Sequence, residues 1–421
     1  MEFFPLLLLF DQLNWEELDD DASDDESVAV ISDSNQNDVY CLLFLHLMDG
    51  GSSHAFCSSL SLAERRRRSG SFRRGALHAP YMSYFSVIFV SGQDDALVAL
   101  CGFDQYSFRM LLDLFDPLFG FLLPYADEDG FLSIRPNPNR GRPRSVTATE
   151  CLALALAWTR TRGPLRYLCI IFGVTLGRLS IWNRFARRII IFGLINHPLA
   201  RVAMPSEDEL LSYVSAISAK YPILTDVWGA MDGLKIHLHA STDGAVQNRF
   251  YNGWLHSHFI CSLFLFSPDG RVRATYFNAP GTMHDSTMAE WSGVCDALDG
   301  IYNQYRLRIV ADSAFASEQH PSILPSYQTN YNQQGQIRQA SAIHSAATSV
   351  RQLSEWGMRG FQASFPRLQD GLLWEERGER KVILQLIILL YNFRASTVGQ
   401  NQISSSYFGV LRQDAFQHLG H

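Results

Sequence analysis

The sequence predicts an α/β protein in which a mixed sheet flanked by helices follows a helical domain. Apolar residues recur at helical spacing between residues 147 and 192, whereas runs of strand length separated by turn residues begin near residue 227. Hydrophobic residues make up 47% of the 421 residues and charged residues 18%, which is enough apolar material for a large core. The length indicates two to three domains.

The first helices form a unit with a short glycine-containing turn. Thr147-Ala-Thr-Glu150 has the spacing of a capping box and begins one helix. A second helix reaches residue 172, and Gly173-Val-Thr175 leads into a third over residues 176–192. This order is typical of a helix-turn-helix unit, whose last helix enters a DNA groove. The arginines of that helix are the predicted DNA contacts: Arg178, Arg184, Arg187 and Arg188. The alternative is an ordinary three-helix unit with a solvated arginine face.

The charge of the chain changes sign along its length. Residues 1–50 are acidic and lack Lys and Arg, whereas residues 140–201 are rich in Arg and contain Glu150 as their single acid. An arginine-rich surface favours phosphate contacts. The four consecutive arginines at residues 65–68 fit either a nuclear-import patch or a solvated charge run.

The composition argues against a membrane or secreted protein. No apolar run approaches the 18 or so residues of a membrane span, and the N-terminus lacks the basic start of a secretion signal. Seven scattered cysteines without a Cys-x-x-Cys pair predict reduced thiols in an intracellular compartment. We therefore expect no membrane contact.

Three carboxylates recur at the ends or faces of predicted elements after residue 226. Strands are predicted at residues 227–239, 258–267, 271–278 and 306–311, and helices at residues 285–298 and 350–365. The turn Pro268-Asp-Gly270 makes the second and third strands a hairpin. Asp232 lies on the first strand, Asp312 directly after the fourth, and Glu355 on the last helix.

This order of strands and helices is that of an RNase H-like fold, which assembles a two-metal phosphoryl-transfer site from such carboxylates. Two Mg²⁺ ions, with Mn²⁺ as a substitute, need hard oxygen ligands over a scissile phosphate. Because neighbouring strands lie about 4.8 Å apart, Asp232 and Asp312 can share one ion. Each acid also has an ordinary explanation: a turn residue for Asp232, a strand-end cap for Asp312, and surface pairs with Arg351 and Arg359 for Glu355.

Six short blocks occur in a fixed order and resemble those of PIF/Harbinger-type transposases, which are DDE superfamily endonucleases. The resemblance spans about residues 140–403. The blocks are Gly229-Ala-Met-Asp-Gly233, Arg249-Phe-Tyr-Asn-Gly253, Asn278-Ala-Pro-Gly-Thr-Met-His-Asp-Ser286, Ala311-Asp-Ser-Ala-Phe315, Ser354-Glu-Trp-Gly-Met-Arg-Gly360 and Leu390-Tyr-Asn-Phe-Arg394.

The resemblance implies a nuclear, metal-dependent nuclease, a hydrolase of DNA phosphodiesters that cuts and rejoins double-stranded DNA at transposon ends and target sites. Asp232, Asp312 and Glu355 match its Asp-Asp-Glu triad. Lys235 and Arg249 are the predicted DNA contacts of the catalytic part, although Arg249 stands where the family often has Lys. A separate DNA-binding partner protein and a homo-oligomer are expected. Residues 317–347 depart from the family because they are rich in Gln, Asn and Ser.

We accordingly divide the chain into five segments. They are a disordered leader that is first acidic and then rich in Arg and Ser (1–75), a helical N-terminal region (76–139), the helix-turn-helix-like DNA-binding domain (140–220), the RNase H-like catalytic domain (221–403) and a tail (404–421).

Three alternatives stay open at this point. Asp285 caps the helix after the third strand, yet it could also assist the metal, and we expect Asp312 to be the ligand and Asp285 an auxiliary acid. Four histidines could hold zinc instead: His237, His239, His256 and His258. The protein could also be a domesticated transposase that has lost its chemistry and acts as a DNA-binding or adaptor protein.

Overall fold

The computed structural model of the protein describes Gly75 and residues 77–126, 132–136, 144–239, 244–253, 255–315, 320–326, 337–372, 377–399 and 401–409. All of these lie in one compact unit, Ser71–His421. The predicted leader, apart from Gly75, lies outside the described residues, as do residues 410–421 of the predicted tail.

Helices form the first part of this unit, as predicted, but a hairpin interrupts them. The elements are α1 (Tyr84–Ser91), α2 (Asp94–Cys101), α3 (Gln105–Phe121), the antiparallel pair β1 (Leu122–Ala126) and β2 (Leu132–Pro136), α4 (Ala148–Arg160), α5 (Arg166–Phe172), α6 (Leu176–Leu194) and α7 (Glu207–Lys220). The hairpin lies within residues 76–139, which were predicted as a helical region without strands. The capping box is confirmed, because the Thr147 N–H donates to Glu150 Oε2 at 2.8 Å and the Glu150 N–H donates to Thr147 Oγ1 at 3.2 Å.

The second part is built on a mixed sheet. Its elements are β3 (Val227–His237), α8 (Gly244–Phe250), β4 (Tyr251–Asn252), β5 (Ser257–Phe266), β6 (Val272–Pro280), α9 (Asp285–Trp291), α10 (Val294–Tyr305), β7 (Arg308–Ala311), β8 (Ile323–Pro325), α11 (Ile337–Ser364) and α12 (Arg377–Thr397). Strand β5 pairs antiparallel with β3, β4 and β6, while β7 pairs parallel with β3 and β8. The predicted order of three antiparallel strands followed by a parallel strand is confirmed.

Two helices differ from their predicted bounds. The single helix expected over residues 285–298 is split into α9 and α10, because Gly293 between them takes a φ of 68°, which ends one helix and lets the next begin. Helix α11 begins at Ile337, well before the predicted residue 350. Ile403 and Tyr407 are buried, so the chain up to Gly409 packs on the core and residues 404–409 do not form a free tail.

Helix α12 packs into the hydrophobic core with Leu384, Ile387, Leu390 and Phe393 fully buried. By length and hydropathy alone, the stretch Gly378–Gly409 could cross a membrane, and half of its most apolar window is buried inside the fold. Core helices of this kind meet the same criteria, so this stretch is weak evidence for a membrane span.

Candidate active site

Asp232 lies on β3, on the face of the sheet that packs against α11. Its antiparallel neighbour on β5 is Phe264, whose ring contacts Phe361 of α11 with 5.1 Å between ring centroids. The Asp232 side chain is only 16% exposed, and its Oδ1 accepts a hydrogen bond from the Gly233 N–H at 2.8 Å. A carboxylate therefore interrupts an otherwise apolar face, which is costly without a charged or polar partner.

Asp312 follows the strand next to β3. The parallel register sets Ala230 opposite Val310, and an extension of that register by two residues sets Asp232 opposite Asp312. Because side chains alternate along a strand, both carboxylates then belong to the same face and the same edge. The Asp312 Oδ1 accepts from the Ser313 N–H at 2.5 Å and from the Ser313 hydroxyl at 3.1 Å.

Glu355 on α11 is linked to Asp232 through an arginine. Arg351 Nη1 lies 3.2 Å from Asp232 Oδ2, and Arg351 Nη2 lies 2.5 Å from Glu355 Oε1. The guanidinium thus holds the strand and the helix together. The i, i+4 spacing of Arg351 and Glu355 predicts only a surface pair, and the contact to Asp232 depends on tertiary structure.

Gly357 sets how closely α11 approaches the sheet. A Cβ at this position would lie 2.6 Å from the buried ring of Phe266 on β5, closer than any real contact. The helix stripe predicted to pack on the sheet is confirmed, because Val350, Leu353 and Phe361 are at most 1% exposed. The small residue two positions after Glu355 therefore fixes the depth at which that carboxylate is held.

We expect Gly357→Ala to destabilise the protein and to displace Glu355. An added methyl group against a rigid core ring costs about 1–3 kcal/mol of unfolding free energy. Chemical denaturation measures the loss, and Gly378→Ala is the matched control because nothing lies within 4 Å of a Cβ there. Equal stability of Gly357→Ala and the wild type would contradict this packing.

Asp285 reaches the same region from the other face of the sheet. A Cβ on Gly233 would lie 3.0 Å from Asp285 Oδ1, so the carboxylate packs against bare strand backbone. Gly233 alternates with Asp232 along β3 and therefore belongs to the opposite face. Cys261 lies opposite Lys235 on that side, and burial together with the charge of Asp285 raises the pKa of its thiol to about 11.

The three aspartates repel one another. Burial raises the pKa of Asp232, and the charges of Asp312 and Asp285 raise it further, against a lowering by the Gly233 N–H and Arg351. Burial likewise raises the pKa of Asp285, with Asp312 adding to the rise and Lys235 opposing it. A cation bound near these carboxylates would stabilise their charged forms and so lower the pKa of both Asp232 and Asp285.

We expect Asp285→Asn to stabilise the metal-free protein increasingly as pH rises. A raised carboxyl pKa favours the protonated form in the folded state, so the stabilising contribution is full below about pH 4 and is lost as pH rises through the folded pKa. The melting temperature of the variant in EDTA should equal that of the wild type at pH 4 and exceed it by about 1–3 °C at pH 7. A difference that shrinks toward pH 7 would contradict the assigned direction.

The carboxylate oxygens of this region are chemically suitable ligands for a hard divalent cation. Asp232, Asp312 and Asp285 supply carboxylate oxygens, the ligands that Mg²⁺ prefers. Among the described residues, no three His, Cys, Asp or Glu side chains converge as closely as the ligands of one metal ion do. The described part of the chain instead has the Arg351 guanidinium as the cation between Asp232 and Glu355. The four histidines proposed for zinc likewise form no such cluster in the described part of the chain, and His237 packs against the Phe259 ring at 4.4 Å between centroids.

The predicted DNA contacts of α6 divide into two groups. Arg178 is exposed, whereas Arg187 is buried and its Nη2 lies 3.1 Å from Glu379 Oε2. Arg188 Nη2 lies 2.6 Å from Glu379 Oε1, and Arg184 is half-buried. Arg187 and Arg188 thus join α6 to α12, so the four predicted arginines do not form one solvent-exposed row. This pairing is tertiary, and helical periodicity does not reveal it. In the part that contains the mixed sheet, the side chains of Lys235 and Arg249, the other two predicted DNA contacts, are exposed.

Comparison with known proteins bears on the part of the chain that carries this site. Residues 231–392 match the family model described as DDE superfamily endonuclease. The match supports a DDE transposase-like protein and suggests nuclease activity on DNA. No curated protein and no solved structure matches the chain.

Proposed function

We propose that the protein is a metal-dependent DNA endonuclease or transposase of the PIF/Harbinger type with an RNase H-like catalytic fold. The strand order β6-β5-β3-β7-β8, with β7 and β8 parallel to β3, supports that fold. One observation carries the function. Extending the β3–β7 register by two residues sets Asp232 opposite Asp312, and α11, which packs over that face, carries Glu355.

In this proposal Asp232, Asp312 and Glu355 hold the divalent ions, and Asp285 assists from the other face. The bound ions would activate the attacking hydroxyl and stabilise the leaving oxygen of a phosphodiester. The chain's own residues position these carboxylates: the β3–β7 register aligns the two aspartates, and Gly357 fixes the depth of Glu355. Arg351 offsets part of the negative charge of Asp232 and Glu355 when no metal is bound.

The substrate follows from the same proposal. It is double-stranded DNA at transposon ends and target sites, bound in part by α6, Lys235 and Arg249, inside the nucleus. A separate DNA-binding protein and self-association would complete the assembly. The position of α6 after the short turn at Gly173 supports the helix-turn-helix interpretation, since α5 ends and α6 begins as predicted.

Nicking of supercoiled plasmid tests the proposal. The full chain should nick DNA in the presence of Mg²⁺ or Mn²⁺ and be inactive in EDTA. The Asp232→Asn variant should lose the activity. Asp296→Asn, an exposed carboxylate on α10, is the matched control and should nick like the wild type. Loss in both variants, or activity that survives Asp232→Asn, would refute the assigned site. Tight DNA binding without nicking would favour the catalytically inactive adaptor.

We expect Arg178 to contact DNA phosphate because it is the exposed arginine of α6. Arg178→Ala should reduce the slope of log affinity against log salt by about 0.9, the value of one neutralised phosphate. Arg109→Ala, an exposed arginine of α3, provides the control. A slope unchanged in Arg178→Ala, measured by fluorescence anisotropy on duplex DNA, would remove this helix from the DNA surface.

A further inference from the structure

Three aromatic rings surround the side-chain ammonium of Lys220, the last residue of α7. The Lys220 nitrogen lies 4.9 Å from the centroid of the Tyr407 ring. It lies 5.7 Å from the ring centroids of both Tyr221 and Trp356. These three rings, the aromatic cage, come from the residue after α7, from α11 and from the helical segment at residues 402–409. We propose that Lys220 is a modification site, at which acylation releases this segment from the fold.

The attraction within the aromatic cage depends on the positive charge of the lysine. A ring attracts a cation through the negative face of its π system when the cation lies within about 6 Å of the centroid. All three distances to the Lys220 nitrogen fall within this range. Methylation of a lysine keeps its charge, whereas acylation removes it. Acylation of Lys220 therefore removes the attraction to all three rings at once.

Lysine is a rare residue type in this chain. Of the 35 basic residues, only Lys220, Lys235 and Lys381 are lysines, and the others are arginines. Two arginines occupy the equivalent position over the Trp158 ring. Lysine, unlike arginine, is a target of acetylation. The cation in the aromatic cage is thus one whose charge an acyl group neutralises, and the Lys220 side chain is exposed to an acylating reagent.

The segment 402–409 is a separate helical piece that the aromatic cage joins to α7 and α11. Asn401 begins it, because Asn401 Oδ1 accepts hydrogen bonds from the N–H groups of Ile403 and Ser404 at 3.0 and 3.3 Å. Gly399, with a φ of 71°, lies between α12 and this segment. Because glycine adopts this conformation readily, the segment can move away without unwinding α12.

The modification is an acyl transfer from an acyl thioester to the Lys220 nitrogen. The ammonium first loses one proton to water. The free amine then attacks the carbonyl carbon of the thioester, so that an N–C bond forms and the C–S bond breaks. The second proton of the amine goes to the leaving thiolate. The products are a neutral amide at Lys220 and a free thiol.

Hydrogen exchange of the full chain, read by mass spectrometry, tests the proposal with acetyl-lysine inserted at position 220 during translation. Amide exchange in residues 402–409 should become at least about threefold faster, because the segment opens more often. Lys220→Gln, which is also neutral, should have the same effect. Lys220→Arg and trimethyl-lysine at position 220 keep the charge, so this segment should exchange as in the wild type. Acetyl-lysine at position 381, an exposed lysine of α12, is the matched control.

Two results would overturn the proposal. Exchange in residues 402–409 that stays unchanged with acetyl-lysine at position 220 would show that the charge does not hold the segment. Exchange that rises only in the last turn of α7 would show that Lys220 acts through the dipole of its own helix. The measurement needs neither DNA nor metal, so its outcome is independent of the proposed nuclease activity.

Discussion

Asp312→Asn will abolish metal-dependent nicking, with a loss of more than about 100-fold, while Asp285→Asn will cost about 10–100-fold or less. The register of β3 and β7 puts Asp312 on the same face as Asp232, where a shared ion needs both charges. Asp285 packs against Gly233 from the opposite face. We therefore expect its charge to influence the bound metal without coordinating it. Nicking rates of the two variants at saturating Mg²⁺ measure the difference.

The folded state must be intact for that comparison. Asn keeps the shape of the side chain, so far-ultraviolet dichroism and melting in EDTA should show folded proteins in both variants. The reverse ranking, with activity retained in Asp312→Asn and lost in Asp285→Asn, would move the metal ligand to α9 and contradict the site proposed above.

Arg351→Gln will destabilise the metal-free protein and enlarge the stabilisation by divalent ions. The variant leaves Asp232 and Glu355 without the cation that contacts both at 3.2 and 2.5 Å. Arg351 is 27% exposed, so these ion pairs are intermediate between surface and buried pairs. We therefore expect the free energy of unfolding to fall by about 1–2 kcal/mol. The rise in melting temperature on adding Mn²⁺ should be larger than in the wild type, since the ion no longer competes with a guanidinium.

Arg359→Gln, at an exposed position of the same helix, is the matched control. Its metal-free stability and its rise in melting temperature with Mn²⁺ should equal those of the wild type. A smaller Mn²⁺ shift in Arg351→Gln than in the wild type would mean that the arginine supports ion binding and does not stand in for the ion.

Much of the half that contains the mixed sheet could be predicted from the sequence because its signals are local. Turn residues at Asp269-Gly270 fixed one hairpin, and the apolar stripe from Val350 to Phe365 identified the face of α11. Asp232 lies on β3 as predicted, and Asp312 directly follows β7. The β1–β2 hairpin was missed, although Asp129-Gly130 between its strands is a turn dipeptide, because Pro124 and Pro136 weaken both strand patterns.

The remaining features depend on contacts distant in sequence. The Arg187–Glu379 pair joins residues on α6 and α12, and no local pattern in α6 separates a buried arginine from the exposed Arg178. The Arg351–Asp232 contact likewise joins a helix to a strand. Pairing of this kind decides which charged residues face solvent and which cross-link the fold, and periodicity carries no information about it.

The most direct measurement is anomalous diffraction from a crystal of the full chain soaked in Mn²⁺. The proposal predicts a peak about 2 Å from carboxylate oxygens of both Asp232 and Asp312, with the Arg351 side chain moved away from Asp232. A peak at Asp285 without Asp312, or none near Asp232 at saturating Mn²⁺, would contradict the two-aspartate site on which the proposed function rests.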